Sequence, residues 1–494
     1  MLKLVIDYLN IFFMYYVFIY AVVFFISTIF SVLELNEDKR KEKYLNELSI
    51  KNEENYVPVS ILVPAYNEEE TVIDCIYSLL YLDYHEYEII VIDDGSKDNT
   101  SKVVIDEFNL KKVARPVRRV VNCKKEEYIY EKTIKNNIKI TLVKKENGGK
   151  SDALNMGINI SKYPLFVSLD ADSILQKDSL SNIVMPFMED DTTIAVGGNI
   201  KVANQVVIEK GKVVNVLPPK KILVIFQTIE YYRIFLTTRV WFNSFNGNLI
   251  ISGAFGLFKK SAVINIGGYD TNTIGEDMDL VVKLHSFYRK NSIQYKIKYA
   301  YKAICWSQVP ETHKDLKGQR RRWHIGLMTS LYNHKYIFLN PKYGIVGIFS
   351  FLYFVLYELL SCLIDILGLV IIGISYFSGL LNKEFLFTFL IVYISYGVII
   401  SITSIILENY IFKHISSFGT LIKLILFAIL ESFGYRQLCS LYRIGGFIGY
   451  KNKKYDWSKI SRKKQNRIYD ISDVKEDSDE NSDENSNLET FELI

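Results

Sequence analysis

The sequence has few cysteines, and none of them forms a recognisable pair. Its 494 residues include five thiols, at Cys75, Cys123, Cys305, Cys362 and Cys439. No C-x-x-C spacing occurs, so neither a zinc ribbon nor a thioredoxin-like redox motif is supported. We therefore expect no disulfide framework, and we expect most of the chain to face a reducing cytosol.

Several common nucleotide-binding and nucleic-acid-binding signatures are also missing. The stretch Asn147-Gly148-Gly149-Lys150 lacks the four-residue spacer that separates the glycines of a Walker loop. No G-x-G-x-x-G follows the first predicted strand, so a nicotinamide-binding Rossmann domain is not supported. The net charge is only +4, and no base-stacking module or helix-turn-helix pattern accompanies it, so we predict no nucleic-acid partner.

Charge is absent from two long apolar runs, residues 8–33 and 385–407. Each run exceeds the roughly 20 residues that cross the core of a bilayer. The first is too long for the h-region of a cleaved signal peptide, and no A-x-A site follows it, so we expect a retained anchor. The basic stretch 39–43 comes next, and the positive-inside rule then places residue 35 onward in the cytoplasm.

Two further apolar regions predict additional membrane segments. Residues 343–377 are too long for one upright helix, which favours an interfacial approach helix leading into a span. Residues 418–434 form a weaker candidate because they are short and contain charges. Glu358 and Asp365 lie seven residues apart in the first region, and intramembrane carboxylates are usually functional. We hypothesise that they line a polar path; a helix end at the membrane interface is the alternative.

The segments between and after these runs complete the predicted organisation. From Asp470 onward the chain has ten acidic residues and one lysine, a composition typical of disorder. The predicted parts are a transmembrane anchor (1–34), a basic and polar linker (35–57), a cytoplasmic α/β domain with interfacial helices (58–340), a transmembrane region (341–436), a basic juxtamembrane segment (437–469) and an acidic tail (470–494).

Short β-branched runs alternate with helical periodicity inside the α/β domain. The predicted strands are 59–63, 88–92, 138–143, 165–169 and 248–251, and the predicted helices are 68–81, 98–108, 150–161 and 220–240, the last amphipathic and interfacial. A hairpin with Gly211 at its turn is predicted over 201–216. This alternation favours βαβ units and a mostly parallel sheet, whose ligands bind at the carboxyl ends of the strands.

Carboxylates follow three of these strands. Asp170-Ala171-Asp172 closes the strand 165–169, and two carboxylates one residue apart suit a hard cation such as Mg²⁺ or Mn²⁺. Asp93-Asp94 ends the strand 88–92, where a carboxylate can accept hydrogen bonds from a base or a ribose; capping of the next helix is the alternative for Asp94. Glu68 follows the first strand. Together these positions predict a ligand site at one edge of the sheet.

Three more elements carry candidate chemistry. Lys150 begins a helix after two glycines and could neutralise a diphosphate. Glu276-Asp277 begins another helix; acidic residues at a helix N-terminus often do no more than interact favourably with the helix dipole. Gln319, Arg322 and Trp323 share one helix face, which suits a sugar ring and a diphosphate; a membrane-interface tryptophan with basic neighbours is the alternative.

Along the chain the motifs come in the order strand-end Asp, D-x-D, Glu-Asp and Gln-x-x-Arg-Trp, and membrane spans follow them. In this order they resemble the motifs of the processive, membrane-embedded glycosyltransferases of family 2. Cellulose synthase, hyaluronan synthase and poly-N-acetylglucosamine synthase belong to that family, and the resemblance covers residues 58–330. It implies a GT-A nucleotide-sugar transferase domain, an α/β fold with a mostly parallel sheet, combined with α-helical transmembrane segments. It further implies inverting, processive transfer from UDP-GlcNAc or UDP-glucose to a growing β-linked polysaccharide, coupled to export.

The resemblance also implies roles for individual residues. It places Asp277 as the general base, with Glu276 beside it, and Asp172 with Asp170 as ligands of Mg²⁺ or Mn²⁺. The remaining implied residues are Ala65, Tyr66, Glu68, Asp93, Asp94, Lys150, Asp170, Gln319 and Arg322 on the donor side, and Ser252, Gly253 and Trp323 on the acceptor side. The chain departs from the pattern at Ile251–Ala254, where cellulose synthases carry Phe-Cys-Gly-Ser, and at Gly275, where many relatives have threonine.

The expected partners are a UDP-sugar, a polysaccharide acceptor and the lipid bilayer, with an accessory membrane subunit left open. We expect a multi-pass protein of the plasma or inner membrane. Two alternatives remain at this point. A non-processive transferase would act on a lipid acceptor, and a catalytically dead domain would serve as a scaffold for polysaccharide export.

Overall fold

The computed structural model describes residues 2–47, 57–134, 137–204, 206–209, 212–216, 219–413 and 417–449. The strands are β1 Val59–Ala65, β2 Tyr87–Asp93, β3 Lys111–Val113, β4 Glu126–Thr133, β5 Lys139–Lys145, β6 Leu165–Leu169, β7 Ile174–Leu175, β8 Thr193–Val202, β9 Val206–Glu209, β10 Lys212–Val216, β11 Phe255–Lys259 and β12 Lys296–Ser307. The acidic tail, residues 450–469 and Gly211 lie outside the described residues.

Fifteen α-helices occur in the described part of the chain. They are α1 Leu2–Glu47, α2 Val72–Leu80, α3 Thr100–Phe108, α4 Lys150–Ile160, α5 Ser179–Glu189, α6 Ile222–Arg233, α7 Arg239–Ser244, α8 Lys260–Asn265, α9 Glu276–Lys290, α10 His313–Asn333, α11 Phe351–Tyr353, α12 Ser361–Phe377, α13 Lys383–Phe412, α14 Phe418–Leu430 and α15 Tyr435–Gly449. Short π-helical segments connect α6 to α7 and flank α11.

Ten strands form one sheet in the order β3-β4-β5-β2-β1-β6-β11-β8-β12-β7. The centre is parallel, because β1 pairs with β2 and β6, and β2 pairs with β5. β11 is antiparallel to β6 and β8, and β4 is antiparallel to β5. The sheet is therefore mixed, with the predicted parallel βαβ units at its centre. Central strands that are buried on both faces read as continuous β-branched runs, which is why the sequence revealed them.

The predicted strand at 248–251 is wrong. These residues have no regular structure, and the strand of this region, β11, begins at Phe255. Ile251 lies over Gly197 of β8 and Gly256 of β11, where an added Cβ would come within 3.3 Å and 2.5 Å of its side chain. The apolar run thus crosses the face of the sheet and fills the space above two glycines, and it does not join a strand edge.

Among the described residues, two helices, α1 and α13, are long and apolar enough to cross a membrane. Two bent pairs could each form a further span: Val346–Leu359 with Ser361–Phe377, bent by 44°, and Phe418–Leu430 with Tyr435–Ile448, bent by 58°. The first pair agrees with the expectation that residues 343–377 are not one straight helix. α1 continues beyond the predicted anchor to Glu47.

The α/β domain packs against these helices through one side of its sheet. Lys201 of β8 pairs with Glu408 of α13 at 2.6 Å, and both side chains are buried. Ile225 and Ile229 of α6 pack in one cluster with α13 and α14, so α6 joins the sheet domain to the apolar helices. The basic insertion of the sequence, residues 111–135, contains β3 and β4 at the opposite end of the strand order, where β3 lies seven strand spacings from β8, or about 34 Å at 4.8 Å per strand.

Candidate active site

The site forms where the carboxyl ends of β1, β2 and β6 meet the N-termini of α4 and α9. Lys150 is the first residue of α4, and its ammonium lies 2.7 Å from Asp170 Oδ1 and 3.2 Å from Glu276 Oε1. It also donates to the carbonyl of Gly253 at 3.3 Å. One cation therefore brings together the D-x-D segment, the Glu-Asp helix and the Ser-Gly segment, which lie far apart in sequence.

The charge of Lys150 is stabilised by these contacts. Burial alone would lower the pKa of this amine, but the carboxylates of Asp170 and Glu276 outweigh it and raise the pKa above the ordinary lysine value. Lys150 therefore stays protonated at neutral pH. A fixed positive charge beside a D-x-D segment suits a ligand that carries phosphate.

Asp277 lies beside this cation. Its carboxylate accepts hydrogen bonds from the amide of Gly253 at 3.2 Å and from the amide of Met278 at 2.8 Å. Burial raises the pKa of Asp277 above the ordinary aspartate value, and burial raises that of Glu276 as well, with Lys150 acting against both shifts. A small cavity beside them is walled in part by Ser252 and Tyr269. A buried carboxylate with a raised pKa is a suitable proton acceptor.

The two aspartates at the end of β2 are held by the protein itself. Asp93 accepts hydrogen bonds from the amide of Ser96 at 2.8 Å and from the hydroxyl of Ser101. Asp94 accepts from the amides of Gly148 and Gly149 at 3.0 and 2.7 Å. Burial raises the pKa of Asp94, partly offset by a nearby lysine. The Asp94 carboxylate thus fixes the glycine loop before α4.

The residues after β1 form the neighbouring wall. The Ala65 carbonyl accepts from the amide of Asp94 at 2.9 Å, which joins the ends of β1 and β2. Glu68 accepts from the hydroxyl of Thr71 at 2.7 Å, and its amide donates to Thr100 at 2.9 Å. Tyr66 is half-buried. Ala65 thus contacts Asp94 directly, and the contact of Ala65, Tyr66 and Glu68 with a base stays a prediction.

The D-x-D carboxylates have the donor chemistry of a site for a hard cation. Asp172 is buried and the Asp170 side chain is one-third exposed (33%). In the described part of the chain, no group of three or more His, Cys, Asp or Glu side chains could hold a metal ion alone. Mg²⁺ commonly takes one or two protein carboxylates and completes its shell with substrate phosphates and water. Asp170 and Asp172 fit that mode of binding.

The Gln-Arg-Trp helix is α10. Gln319 is buried, Arg322 is half-buried and Trp323 is 45% exposed. Arg320, which directly follows Gln319, was not predicted as a site residue from the sequence. Its guanidinium lies 4.8 Å from the Trp323 ring centroid and pairs with both carboxylate oxygens of Glu230, at 2.6 and 2.8 Å. The spacing alone does not reveal this pair, because Glu230 lies 90 residues away.

Gly275 explains one departure from the family pattern. A Cβ at Gly275 would lie 2.8 Å from the backbone of Gly326, and a Cβ at Gly326 would lie 2.9 Å from Gly275. The backbone of α10 thus touches the residue that precedes Glu276. Two glycines set the distance between the helix of Asp277 and the helix of Gln319, Arg322 and Trp323.

Two family models match the chain, Glycosyl transferase family 2 over residues 60–267 and Glycosyl transferase family group 2 over residues 165–400. Together the two models assign residues 60–400 to glycosyltransferase family 2. The helices of this glycosyltransferase that could cross a membrane agree with the membrane segments that the sequence resemblance implied.

The relatives of this glycosyltransferase include two staphylococcal enzymes. It is 35% identical over 289 residues to the poly-beta-1,6-N-acetyl-D-glucosamine synthase of Staphylococcus epidermidis, covering 58% of this chain and 59% of the relative. It is 34% identical over 268 residues to the enzyme of that name from Staphylococcus aureus, covering 54% of each. The matched region thus spans less than two thirds of these relatives.

A solved structure of similar fold is the mannosyltransferase PcManGT from Pyrobaculum calidifontis in complex with GDP-Man and Mn²⁺. The TM-score is 0.51 at 16% identity, covering 92% of this chain and 100% of that chain. At this identity the likeness shows the fold alone, which is of the GT-A type with apolar helices.

Proposed function

We propose that this glycosyltransferase transfers N-acetylglucosamine from UDP-GlcNAc to a growing β-linked polysaccharide at the membrane, by inversion and processively. The observation that carries the proposal is the Lys150 cluster, in which the motifs that we assign to donor and acceptor share one cation whose side chain is 12% exposed. The names of the two staphylococcal relatives favour N-acetylglucosamine over glucose. The acceptor is polysaccharide in this proposal, and export accompanies synthesis.

The carboxylate of Asp277 acts as the general base. It takes the proton of an acceptor hydroxyl while that oxygen forms a bond to the anomeric carbon of the donor. The bond between the anomeric carbon and the diphosphate oxygen breaks, and UDP leaves with the electron pair. One direct displacement inverts the anomeric configuration, so an α-linked donor gives a β-linked product.

Positive groups stabilise the departing diphosphate. Lys150 and Arg322 supply fixed cationic donors at the position where negative charge develops. Asp170 and Asp172 would hold a divalent cation, Mg²⁺ or Mn²⁺, which would supply further electrostatic stabilisation of the diphosphate. Ala65, Tyr66, Glu68, Asp93 and Asp94 form the base and ribose side, with Gln319 toward the diphosphate, in our proposal.

The acceptor end lies between α9 and α10. Ser252 and Gly253 lie beside Asp277, and the exposed ring of Trp323 offers a face on which a sugar can stack. We propose that the protein is multi-pass, with its catalytic domain in the cytoplasm, and that its membrane helices form a path for the polysaccharide. Glu358 remains our candidate to line it. Asp365 accepts a hydrogen bond from Ser440 at 2.7 Å, so this carboxylate connects α12 to α15.

The experiment uses the full chain in lipid nanodiscs with Mn²⁺ or Mg²⁺ and either UDP-GlcNAc or UDP-glucose. We expect UDP release and long, β-glycosidase-sensitive product from UDP-GlcNAc, and loss of both with EDTA. Asp277→Asn should lower turnover roughly 10²- to 10⁴-fold, whereas Asp83→Asn, at an exposed loop carboxylate, should not lower it. A single sugar added to lipid would replace the proposal with the non-processive alternative. Wild-type protein that turns over neither donor would contradict the proposal.

A further inference from the structure

Lys145 lies at the end of β5 and is completely buried. Its ammonium lies 2.5 Å from Asp94 Oδ1 and 2.6 Å from Asp152 Oδ1, and it donates to the carbonyl of Glu146 at 2.7 Å. A lysine ammonium has three N–H donors, so these three acceptors use all of them. The side chain is therefore fixed in position and direction.

Both carboxylates that Lys145 contacts hold backbone segments of the site. Asp94 accepts the amides of Gly148 and Gly149, which directly precede Lys150. Asp152, in the first turn of α4, accepts the amide of Lys124 at 3.0 Å and so holds the basic insertion. Lys145 thus lies at the centre of a hydrogen-bonded unit that includes the glycine loop, the start of α4 and the insertion.

The glycine loop is shaped around these carboxylates. A Cβ at Gly148 would lie 2.5 Å from the Asp152 carboxyl group, and Gly149 has a φ of +90°, which favours glycine. Without the lysine, two buried carboxylates would face one another with only amide donors to offset their charge, and an uncompensated buried charge is strongly unfavourable. Lys145 therefore keeps the loop in the conformation that directs Lys150 at Asp170.

We propose that Lys145 is a positioning residue for the nucleotide-sugar: it holds Asp94 and the glycine loop, and thereby Lys150, in the geometry that receives the base and the diphosphate. The proposal rests on the proposed function. It predicts a defect in donor binding, because Asp94 and the loop belong to the donor side, while Asp277 on α9 keeps its own contacts with Gly253 and Met278.

The test compares Lys145→Met, Lys145→Arg and the charge-balanced double variant Lys145→Met with Asp152→Asn in nanodiscs. The control is Lys144→Met, at the neighbouring position of β5, whose side chain is 40% exposed. Thermal unfolding establishes which variants fold. For those that do, kcat and KM for UDP-GlcNAc are measured with Mn²⁺, and the Kd for UDP is measured by calorimetry.

We expect KM for UDP-GlcNAc and Kd for UDP to rise at least tenfold in Lys145→Met and in the double variant, with a smaller fold-loss in kcat because Lys150 also stabilises the departing diphosphate. Lys145→Arg should recover part of the loss, and Lys144→Met should match wild type. Folded variants with wild-type KM and Kd would overturn the proposal, because a merely structural lysine would change only the stability or the active fraction. If wild-type protein failed to turn over UDP-GlcNAc, the proposed function would fail, while the ratio of UDP Kd values would still decide the role of Lys145.

Discussion

At the scale of single residues, the site depends on a few buried charges whose partners fix both position and protonation. Lys150 is held positive by Asp170 and Glu276, whereas burial raises the pKa of Asp277. Most of these residues could be predicted, because each stands at the end of a strand or the start of a helix. Lys145 could not, because it reads as the last residue of an ordinary strand and its two carboxylates come from other segments.

The first prediction concerns Asp277. Asp277→Asn keeps the shape of the side chain but removes the proton acceptor, and general bases contribute roughly 10²- to 10⁴-fold. We expect kcat to fall by about that range with KM for the donor nearly unchanged. Initial rates of UDP release measure this. A variant with more than a tenth of wild-type kcat would show that another group takes the proton.

The second prediction follows from the raised pKa of Asp277. The base must be deprotonated, so activity is lost as pH falls through its pKa. Because burial raises that pKa, the acidic limb of kcat/KM should lie above the ordinary aspartate pKa of about 3.9. A pH profile of wild-type protein measures it, with thermal unfolding at each pH as the control. A limb at the ordinary value would exclude Asp277 as the titrating group.

At the scale of elements, helix contacts that are distant in sequence set the spacing of the motifs. Arg320 of α10 pairs with Glu230 of α6, and Tyr435 of α15 donates to the same carboxylate at 3.0 Å. Strand and helix periodicity predicted most elements to within a few residues, but periodicity does not reveal such pairs. It also misplaced residues 248–251, because an apolar run that crosses a sheet face resembles one that joins its edge.

The third prediction concerns the contact between α9 and α10. Gly275→Ala would place a methyl group 2.8 Å from the Gly326 backbone, and overpacking of this kind costs about 1–3 kcal/mol. We expect a lower Tm and a lower kcat, because Asp277 and Trp323 move apart. Gly373→Ala in α12 is the control, since its Cβ would meet nothing within 4 Å. Unchanged activity in a Gly275→Ala protein would mean that this spacing does not matter for catalysis.

At the scale of the whole molecule, buried ion pairs join the α/β domain to the apolar helices. Arg233 of α6 contacts Glu431 at 2.8 Å, and Arg436 of α15 contacts the same carboxylate at 3.2 Å. The sequence indicated that residues 220–240 approach the membrane, but charges inside the short segment 418–434 only weakened its prediction as a span. The structure explains the charge of Glu431, because this carboxylate pairs with Arg233 of α6.

The fourth prediction concerns this junction. Glu431→Gln leaves Arg233 and Arg436, each 16% exposed, without their buried carboxylate, and breaking a buried pair costs about 3–5 kcal/mol. We expect a clear loss of thermal stability in detergent and reduced polymer yield. Glu37→Gln, which removes an exposed i,i+4 pair with Lys41, is the control and should change neither. Equal stability of the two variants would show that the junction does not depend on this network.

The most direct test of the central claim is product length from purified protein in nanodiscs supplied with UDP-GlcNAc and Mn²⁺, measured together with UDP release. The account predicts one long β-linked product series and none from Asp277→Asn. Release of UDP with only single-sugar addition to lipid, or equal product from Asp277→Asn, would contradict it.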